Sequence, residues 1–211
     1  MEWIEQHLLT LMIFVPAVGA AALLFVPNRK AELIKCISAL ASLIPLILAV
    51  VLFKSFDRET TSLQFVERLS WIPSFNVEYF VAVDGISVTM VILTALISMI
   101  CFFASWDIEH WKVSRGIKGY FALLLLLETG MMGVFCSFDF FLFYVFWEVM
   151  LLPMFFLIGI WGGPRKEYAA IKFFLYTLVG SVLMLVVMLA FYFTTGTFDL
   201  TALAGLSEQF S

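Results

Sequence analysis

Two glutamates inside long apolar stretches are the residues of this sequence with the clearest capacity for chemistry. Glu148 is the one charged residue between Phe140 and Pro164. A segment of that length is enough to cross a bilayer as a helix, which takes about 20 apolar residues. A carboxylate at such a depth costs a few kcal/mol or more, so its default interpretation is functional. We interpret Glu148 as the centre of a proton or cation path.

Glu128 is predicted to lie at nearly the same depth. It lies ten residues before Phe138 and Glu148 lies ten residues after it, so at about 1.5 Å per residue both are about 15 Å from one turn. If the two side chains face each other, burial and mutual repulsion favour the protonated form of at least one, as a proton relay requires. The alternative is structural, with each protonated acid making one hydrogen bond between helices. The sequence does not show whether the two carboxyl groups face each other.

Lys172 is a third candidate for proton translocation, and four residues are candidates for supporting roles. Pro153 removes a backbone hydrogen bond and leaves a carbonyl for water or a side chain, and Tyr144 either bonds on the face of Glu148 or packs. Lys172 either extends to the headgroups or lies at the mouth of a cytoplasmic half-channel. Thr177 and Ser181, one turn apart, suit water or tight helix packing, and packing is the preferred interpretation.

Other kinds of site lack their signatures in the sequence. It has no glycine-rich phosphate loop, no CxxC cluster and no histidine-rich set, and His7 and His110 are interpreted as structural. Cys36, Cys101 and Cys136 lie within apolar runs, which predicts neither a disulfide framework nor a zinc site. We therefore expect no nucleotide, flavin, iron–sulfur cluster, other cofactor, metal or nucleic acid to bind this chain.

The composition predicts an all-α integral membrane protein with a single membrane domain over residues 1–211. The chain is 63% hydrophobic and 13% charged, with a mean hydropathy of +1.05, more apolar surface than one soluble core of this length buries. The first run is not interpreted as a cleaved signal peptide, because Glu2 and Glu5 precede it. A polar segment over 54–83 predicts a short extramembrane hairpin between helices two and three, and the polar residues 199–211 predict a frayed tail. About six spans are predicted, at 8–27, 36–53, 86–106, 119–138, 140–164 and 173–198.

Basic residues predict the orientation of these spans. By the positive-inside rule, the links after spans one, three and five face the cytoplasm and both termini lie outside. The predicted location is the cell (inner) membrane, as a multi-pass protein. Tryptophans near span ends fit an aromatic belt at positions 3, 71, 106, 111 and 161, whereas Trp147 lies at mid-depth. Nine of the twelve basic residues lie in the cytoplasmic links: Arg29, Lys30, Lys35, Lys112, Arg115, Lys118, Arg165, Lys166 and Lys172.

Three segments carry a resemblance to a known family: WIPSFNVEYFVAVDGIS (71–87), FYVFWEVMLLPMFFLIGIWGG (143–163) and YAAIKFFLYTLVGSVLML (168–185). They resemble subunit M of proton-translocating NADH:quinone oxidoreductase (respiratory complex I), the counterpart of mitochondrial chain 4, among the antiporter-like subunits. The resemblance implies a translocase subunit in which Glu148 matches the glutamate of the fifth helix that pairs with a lysine of a seventh helix. It also implies that the chain lies in the lipid bilayer beside other membrane-arm subunits, and that NADH, flavin, iron–sulfur clusters and quinone bind to partner subunits.

The sequence departs from that family in length. Members have about fourteen spans in two inverted repeats, so the resemblance implies that only the N-terminal portion is present. Either a companion chain carries the remaining helices, or the missing half is not needed for the role of this chain. Three functions stay open: a proton-translocating subunit of the membrane arm, a truncated structural or assembly subunit without pumping, and a subunit of a multisubunit cation/proton antiporter or a membrane-bound hydrogenase.

Overall fold

Six long helices dominate the computed structural model, which describes residues 6–108 and 116–207. All six are long and apolar enough to cross a membrane, so the predicted fold class is confirmed. Each of the six helices packs on the next one, and α2 and α3 do so although the hairpin separates them in sequence. The bounds are α1 Leu8–Phe25, α2 Ala31–Ser55, α3 Gly85–Ala104, α4 Ile117–Cys136, α5 Phe140–Trp161 and α6 Lys166–Thr195.

The helix bounds differ from the predicted spans where polar residues extend a helix or a glycine ends it. α2 begins at Ala31, five residues before the predicted span, and its first turn holds an ion pair between Lys35 Nζ and Glu32 Oε1 at 3.0 Å. α6 likewise begins before residue 173, at Lys166, and ends at Thr195 because Gly196 takes the left-handed conformation with φ +72°.

The frayed tail predicted for 199–211 is wrong where the structure describes it, because a short helix, α7, spans Leu200–Ser207. The Asp199 carboxylate accepts hydrogen bonds from the amides of Thr201 (2.8 Å) and Ala202 (3.3 Å). A side chain that accepts bonds from the first free amides of a helix favours its formation.

The predicted hairpin is present between α2 and α3. Strand β1 (Gln64–Ile72) pairs antiparallel with β2 (Val77–Val83), and a single 3₁₀ turn at Pro73–Phe75 joins them. Asn76, at φ 51°, ends that turn in the left-handed region that asparagine tolerates. The chain then enters α3 through Asp84, whose carboxylate accepts from the amides of Ile86 (3.0 Å) and Ser87 (2.7 Å). The Asp84–Ser87 motif is therefore a helix cap.

The link between α4 and α5, residues 137–139, is held between the hairpin and the link that follows α6. On one side the Phe138 amide donates to the Phe80 carbonyl of β2 at 2.9 Å. On the other side the Phe140 amide donates to the Phe198 carbonyl at 2.8 Å. Arg68 of β1 spans the same end of the molecule, with its guanidinium 2.7 Å from Asp199 Oδ2 and 3.6 Å from the centre of the Phe80 ring. Three separate connections are thus fastened together at one end of the bundle.

Glu67 of β1 caps the first turn of α1. Its Oε1 accepts from the amides of Leu9 (2.8 Å) and Thr10 (3.3 Å), and its Oε2 accepts from the Thr10 hydroxyl. Burial raises the pKa of Tyr79 to about 12, so its hydroxyl stays protonated. Because the Thr10 hydroxyl donates to Glu67, the Tyr79 hydroxyl is the donor in the 2.8 Å hydrogen bond to Thr10 Oγ1. An acceptor from another element therefore satisfies amides that a helix start leaves free.

We expect Glu67→Ala to loosen the start of α1 by about 2–3 kcal/mol, because hydrogen bonds to a charged group contribute about 1.5–3 kcal/mol each. Hydrogen exchange at the Leu9 and Thr10 amides should then accelerate by about 30-fold or more, since about 1.4 kcal/mol corresponds to tenfold. Glu78→Ala is the matched control, because that side chain is 43% exposed. Equal protection of these two amides in both variants would contradict the cap.

Candidate functional site

The contact between α4 and α5 fixes the direction in which the two glutamates point. At Gly130 and Gly133 the backbone of α4 comes so close to α5 that an added Cβ would meet Met150 at 3.0 Å and Phe146 at 2.3 Å. Glu128 lies two residues from Gly130 and Glu148 lies two residues from both Phe146 and Met150. Two residues turn a helix by about 200°. The carboxyl groups therefore leave the shared contact on opposite sides, and they do not face each other.

Glu148 points from α5 toward α6, where it meets one of the predicted supporting residues. The Ser181 hydroxyl of α6 donates to Glu148 Oε1 and also lies 3.4 Å from the Tyr144 hydroxyl. Ser181 is buried at 2% exposure, and Glu148 and Tyr144 are half-buried. The structure thus brings together Glu148, Tyr144 and Ser181. Ser181 is a hydrogen-bond partner of the carboxylate, which replaces the packing interpretation drawn from the sequence.

The other three predicted site residues, Lys172, Pro153 and Thr177, lie apart from this cluster. The Thr177 hydroxyl donates to its own helix, to the Phe173 carbonyl at 2.7 Å, and Pro153 is buried within a helix that continues to Trp161. Lys172 is exposed, with its ammonium 5.9 Å from the Tyr168 ring centre. It precedes Ser181 by nine residues, about 13.5 Å along α6, so no direct contact joins Lys172 to Glu148.

Glu128 points from α4 toward α2 and is fully buried. The Ser42 hydroxyl of α2 donates to Glu128 Oε1 at 3.1 Å. Sequence reasoning missed Ser42, although a signal was present. Lys35, Ser38 and Ser42 recur at intervals of three and four residues in the first half of α2, a spacing that places polar groups on one face. All three are buried in the structure.

Some residues discussed from the sequence lie outside the described residues: Trp3, His110 and Trp111. Trp161 packs edge-on against Tyr120 at 5.3 Å between ring centres.

Among residues 6–108 and 116–207, no group of three or more His, Cys, Asp or Glu side chains is arranged to hold a metal ion. The groups that the structure brings together around Glu148 are one carboxyl group and the hydroxyls of Ser181 and Tyr144.

Comparison with known proteins gives consistent matches to one kind of membrane subunit. The model of the family "NADH:quinone oxidoreductase/Mrp antiporter, TM" matches residues 137–210. NADH-ubiquinone oxidoreductase chain 4 of Arabidopsis thaliana is 44% identical over 201 residues, covering 95% of this chain and 39% of that protein. NADH-quinone oxidoreductase subunit M of Rhodobacter capsulatus is 39% identical, covering 94% of this chain and 38% of that protein. The chain thus spans about two fifths of the length of these relatives.

The fold agrees with a solved respiratory assembly. A chain of respiratory complex I from Thermus thermophilus superposes with a TM-score of 0.76 at 25% identity, and the match covers 92% of this chain and 39% of that one. The six helices, the hairpin and the acid in the fifth helix therefore occur in a chain whose sequence is similar to chain 4 and subunit M, and whose fold is similar to a chain of respiratory complex I. In sequence and in fold, the chain is therefore similar to the antiporter-like membrane subunits that include complex I subunit M and its chain 4 counterpart.

Proposed function

We propose that this chain is a proton-translocating membrane-arm subunit of an NADH:quinone oxidoreductase assembly, with Glu148 as its protonatable site within the membrane. The contact between Glu148 and Ser181 is the observation that carries the proposal. The Ser181 hydroxyl fixes the position of the carboxyl group, and the Tyr144 hydroxyl lies beside Ser181. A carboxyl group with neighbouring hydroxyls inside a spanning helix has the chemistry that a proton-transfer site needs.

The orientation follows from the basic links. The ends of α1, α3 and α5 share one end of the bundle with the starts of α2, α4 and α6, and that end carries Arg29, Lys30 and Lys166. There the Lys118 ammonium donates hydrogen bonds to the carbonyls of Leu24 (3.0 Å) and Val26 (3.2 Å). Under the positive-inside rule this end faces the cytoplasm of a cell whose inner membrane holds the chain. The hairpin then faces the opposite compartment.

Partner subunits are proposed to cover α6. In its most apolar window only 11% of α6 is buried, against 33–44% in α1 to α4. Lys172, Tyr176 and Gly180 lie on one exposed face of this helix, and a small residue on such a face lets another helix approach closely. We propose that further membrane-arm helices, carried by a companion chain or by other subunits, pack here. Lys172 then lies at the mouth of the half-channel that leads to Glu148.

Isolation of the native assembly tests the proposal. Purified from membranes through a tag on this chain, the assembly should contain subunits that bind NADH, flavin and iron–sulfur clusters. In vesicles it should couple NADH oxidation by quinone to proton transport. The same preparation without NADH, given a sodium or potassium gradient, is the control. An assembly that lacks redox subunits and moves protons only against a cation gradient would contradict the proposal.

That second outcome would support cation/proton antiport instead. The matched family description names the Mrp antiporter beside NADH:quinone oxidoreductase, and this naming keeps antiport as the second candidate function. The two candidates share the protonatable Glu148 and differ in the energy source, so the redox composition of the assembly separates them.

A further inference from the structure

Polar side chains are buried between α2, α3 and α4, on the side of α4 that faces away from Glu148. Lys35, Ser38 and Ser42 of α2, Ser98 of α3 and Glu128 of α4 are each 4% exposed or less. The surrounding helices are apolar, so a set of this kind is expected to have a function or a shared network of hydrogen bonds. The Ser42 hydroxyl supplies one such bond, to Glu128 Oε1.

Two atoms of this set have no hydrogen-bond partner among the described residues, namely Glu128 Oε2 and the Ser98 hydroxyl oxygen. A buried polar atom left without a partner destabilises the fold, and in native proteins an ordered water commonly satisfies it. A water needs two or more polar partners to be held in this way. Glu128 and Ser98 supply them if they lie close together.

The packing of α3 on α4 places Ser98 and Glu128 on facing sides at similar depth. Phe102 of α3 stacks on Phe121 of α4 with ring centres 5.7 Å apart. Ser98 lies one turn from Phe102 and Glu128 lies two turns from Phe121, each on the same helix face as its phenylalanine and each deeper in the bundle. At about 1.5 Å per residue, the two polar residues differ in depth by about 4–5 Å, so they lie within one helical turn of the same level in the bundle.

The polar face of α2 continues from this point to the surface. Ser38 lies one turn from Ser42, and its hydroxyl donates to the Ile34 carbonyl, which leaves its oxygen free to accept a bond from water. Lys35 follows, about 10 Å from Ser42 along the helix. Its ammonium pairs with Glu32 Oε1 at 3.0 Å, and the Glu32 side chain is 75% exposed. The line therefore runs from the fully buried Glu128 to a solvated carboxylate.

We propose that Ser38, Ser42 and Ser98 hold a chain of water molecules through which Glu128 exchanges its proton with the end of the bundle that carries Lys35. Each step moves one proton from an oxygen to its neighbour, so Glu128 gains a proton as the outermost water takes one from solvent, and no electron is transferred. Glu128 is then a second proton-loading site with its own access, separate from Glu148. The physiological use of this site rests on the proposed function, whereas its hydration and exchange do not.

Infrared difference spectra of the intact membrane assembly test this proposal. The spectrum of the wild type minus that of Glu128→Gln isolates the carbonyl stretch of protonated Glu128. Transfer from H₂O to D₂O should shift this band to lower frequency within minutes. Ser98→Leu, which fills the space beside Glu128, should slow the shift several-fold. Thr89→Val is the matched control on α3, because Thr89 is exposed and its hydroxyl bonds its own helix.

Ser42→Ala provides an independent test if Ser98→Leu fails to assemble, since removal of the Ser42 hydrogen bond should move the Glu128 band to higher frequency. The proposal is overturned if no such band exists, if the band does not shift in D₂O over hours, or if Ser98→Leu exchanges as fast as the wild type. Proton transport by Glu148→Gln, measured in the same vesicles, tests the proposed function separately. Unchanged transport would remove that function and leave the exchange result standing.

Discussion

Glu148→Gln is expected to reduce the NADH-driven proton flux carried by this chain by about a hundredfold or more, because positioned proton-transfer groups contribute about 10²–10⁴-fold. The amide has nearly the same shape as the carboxyl group and still accepts the hydrogen bond from Ser181, so the assembly should form normally. It does not bind and release a proton near neutral pH. The measurement is proton uptake per NADH oxidised in sealed vesicles, together with the subunit content of the purified assembly.

Glu167→Gln is the matched control for this experiment, because Glu167 is exposed in the first turn of α6 and should leave the flux unchanged. Full proton transport by Glu148→Gln, combined with loss of the assembly when the chain is deleted, would instead establish the structural role. A second pair of variants tests the contact itself. Ser181→Ala should lower the flux several-fold, whereas Thr177→Ala should not, because the Thr177 hydroxyl bonds only the backbone of its own helix.

Gly133→Leu is expected to prevent α5 from packing on α4. A Cβ at residue 133 would lie 2.3 Å from the ring of Phe146, and that ring is 5% exposed and packed against the core. Overpacking of this kind costs about 3 kcal/mol or more when the neighbour has no room to move. The thermal midpoint of the purified assembly should fall, and proton flux should fall with it, because Glu148 lies on the displaced helix.

Gly205→Leu, within α7, is the control with the same change of residue, since no atom lies within 4 Å of a Cβ at residue 205. Both variants gain the same helix propensity, so the difference between them measures the contact of α4 with α5. An equal thermal midpoint for the two variants would show that α4 and α5 do not approach each other this closely.

The helical membrane fold was predictable because it depends on apolar length. Runs such as Leu8–Pro27 and the stretch around Glu148 exceed what a bilayer crossing needs, and the hairpin follows from turn residues between alternating apolar positions. Helix bounds were less predictable, because local caps decide them. The start of α2 depends on an ion pair between Glu32 and Lys35, and the order of the 200–207 segment depends on bonds that Asp199 accepts.

The candidate site was predictable in its residues and only partly in its arrangement. An acidic residue in an apolar helix can be recognised as a candidate from the sequence alone. Tyr144 can be recognised because it lies one helical turn before Glu148. The directions of Glu128 and Glu148 depend on which faces of α4 and α5 touch, and that choice is made by the glycines at 130 and 133. The role of Ser42 depends on how α2 and α4 are aligned against each other. The spacing of residues within one helix does not reveal that alignment.

The cap that Glu67 places on α1 implies a particular history for each newly made molecule. Synthesis proceeds from the N-terminus, so the first two helices are synthesised before residue 67 is added. The amides in the first turn of α1 must therefore bond to water or lipid headgroups until Glu67, which is translated later, accepts their hydrogen bonds. The hairpin therefore completes α1 only after both are synthesised, and a chain that ends before the hairpin would leave the start of α1 uncapped.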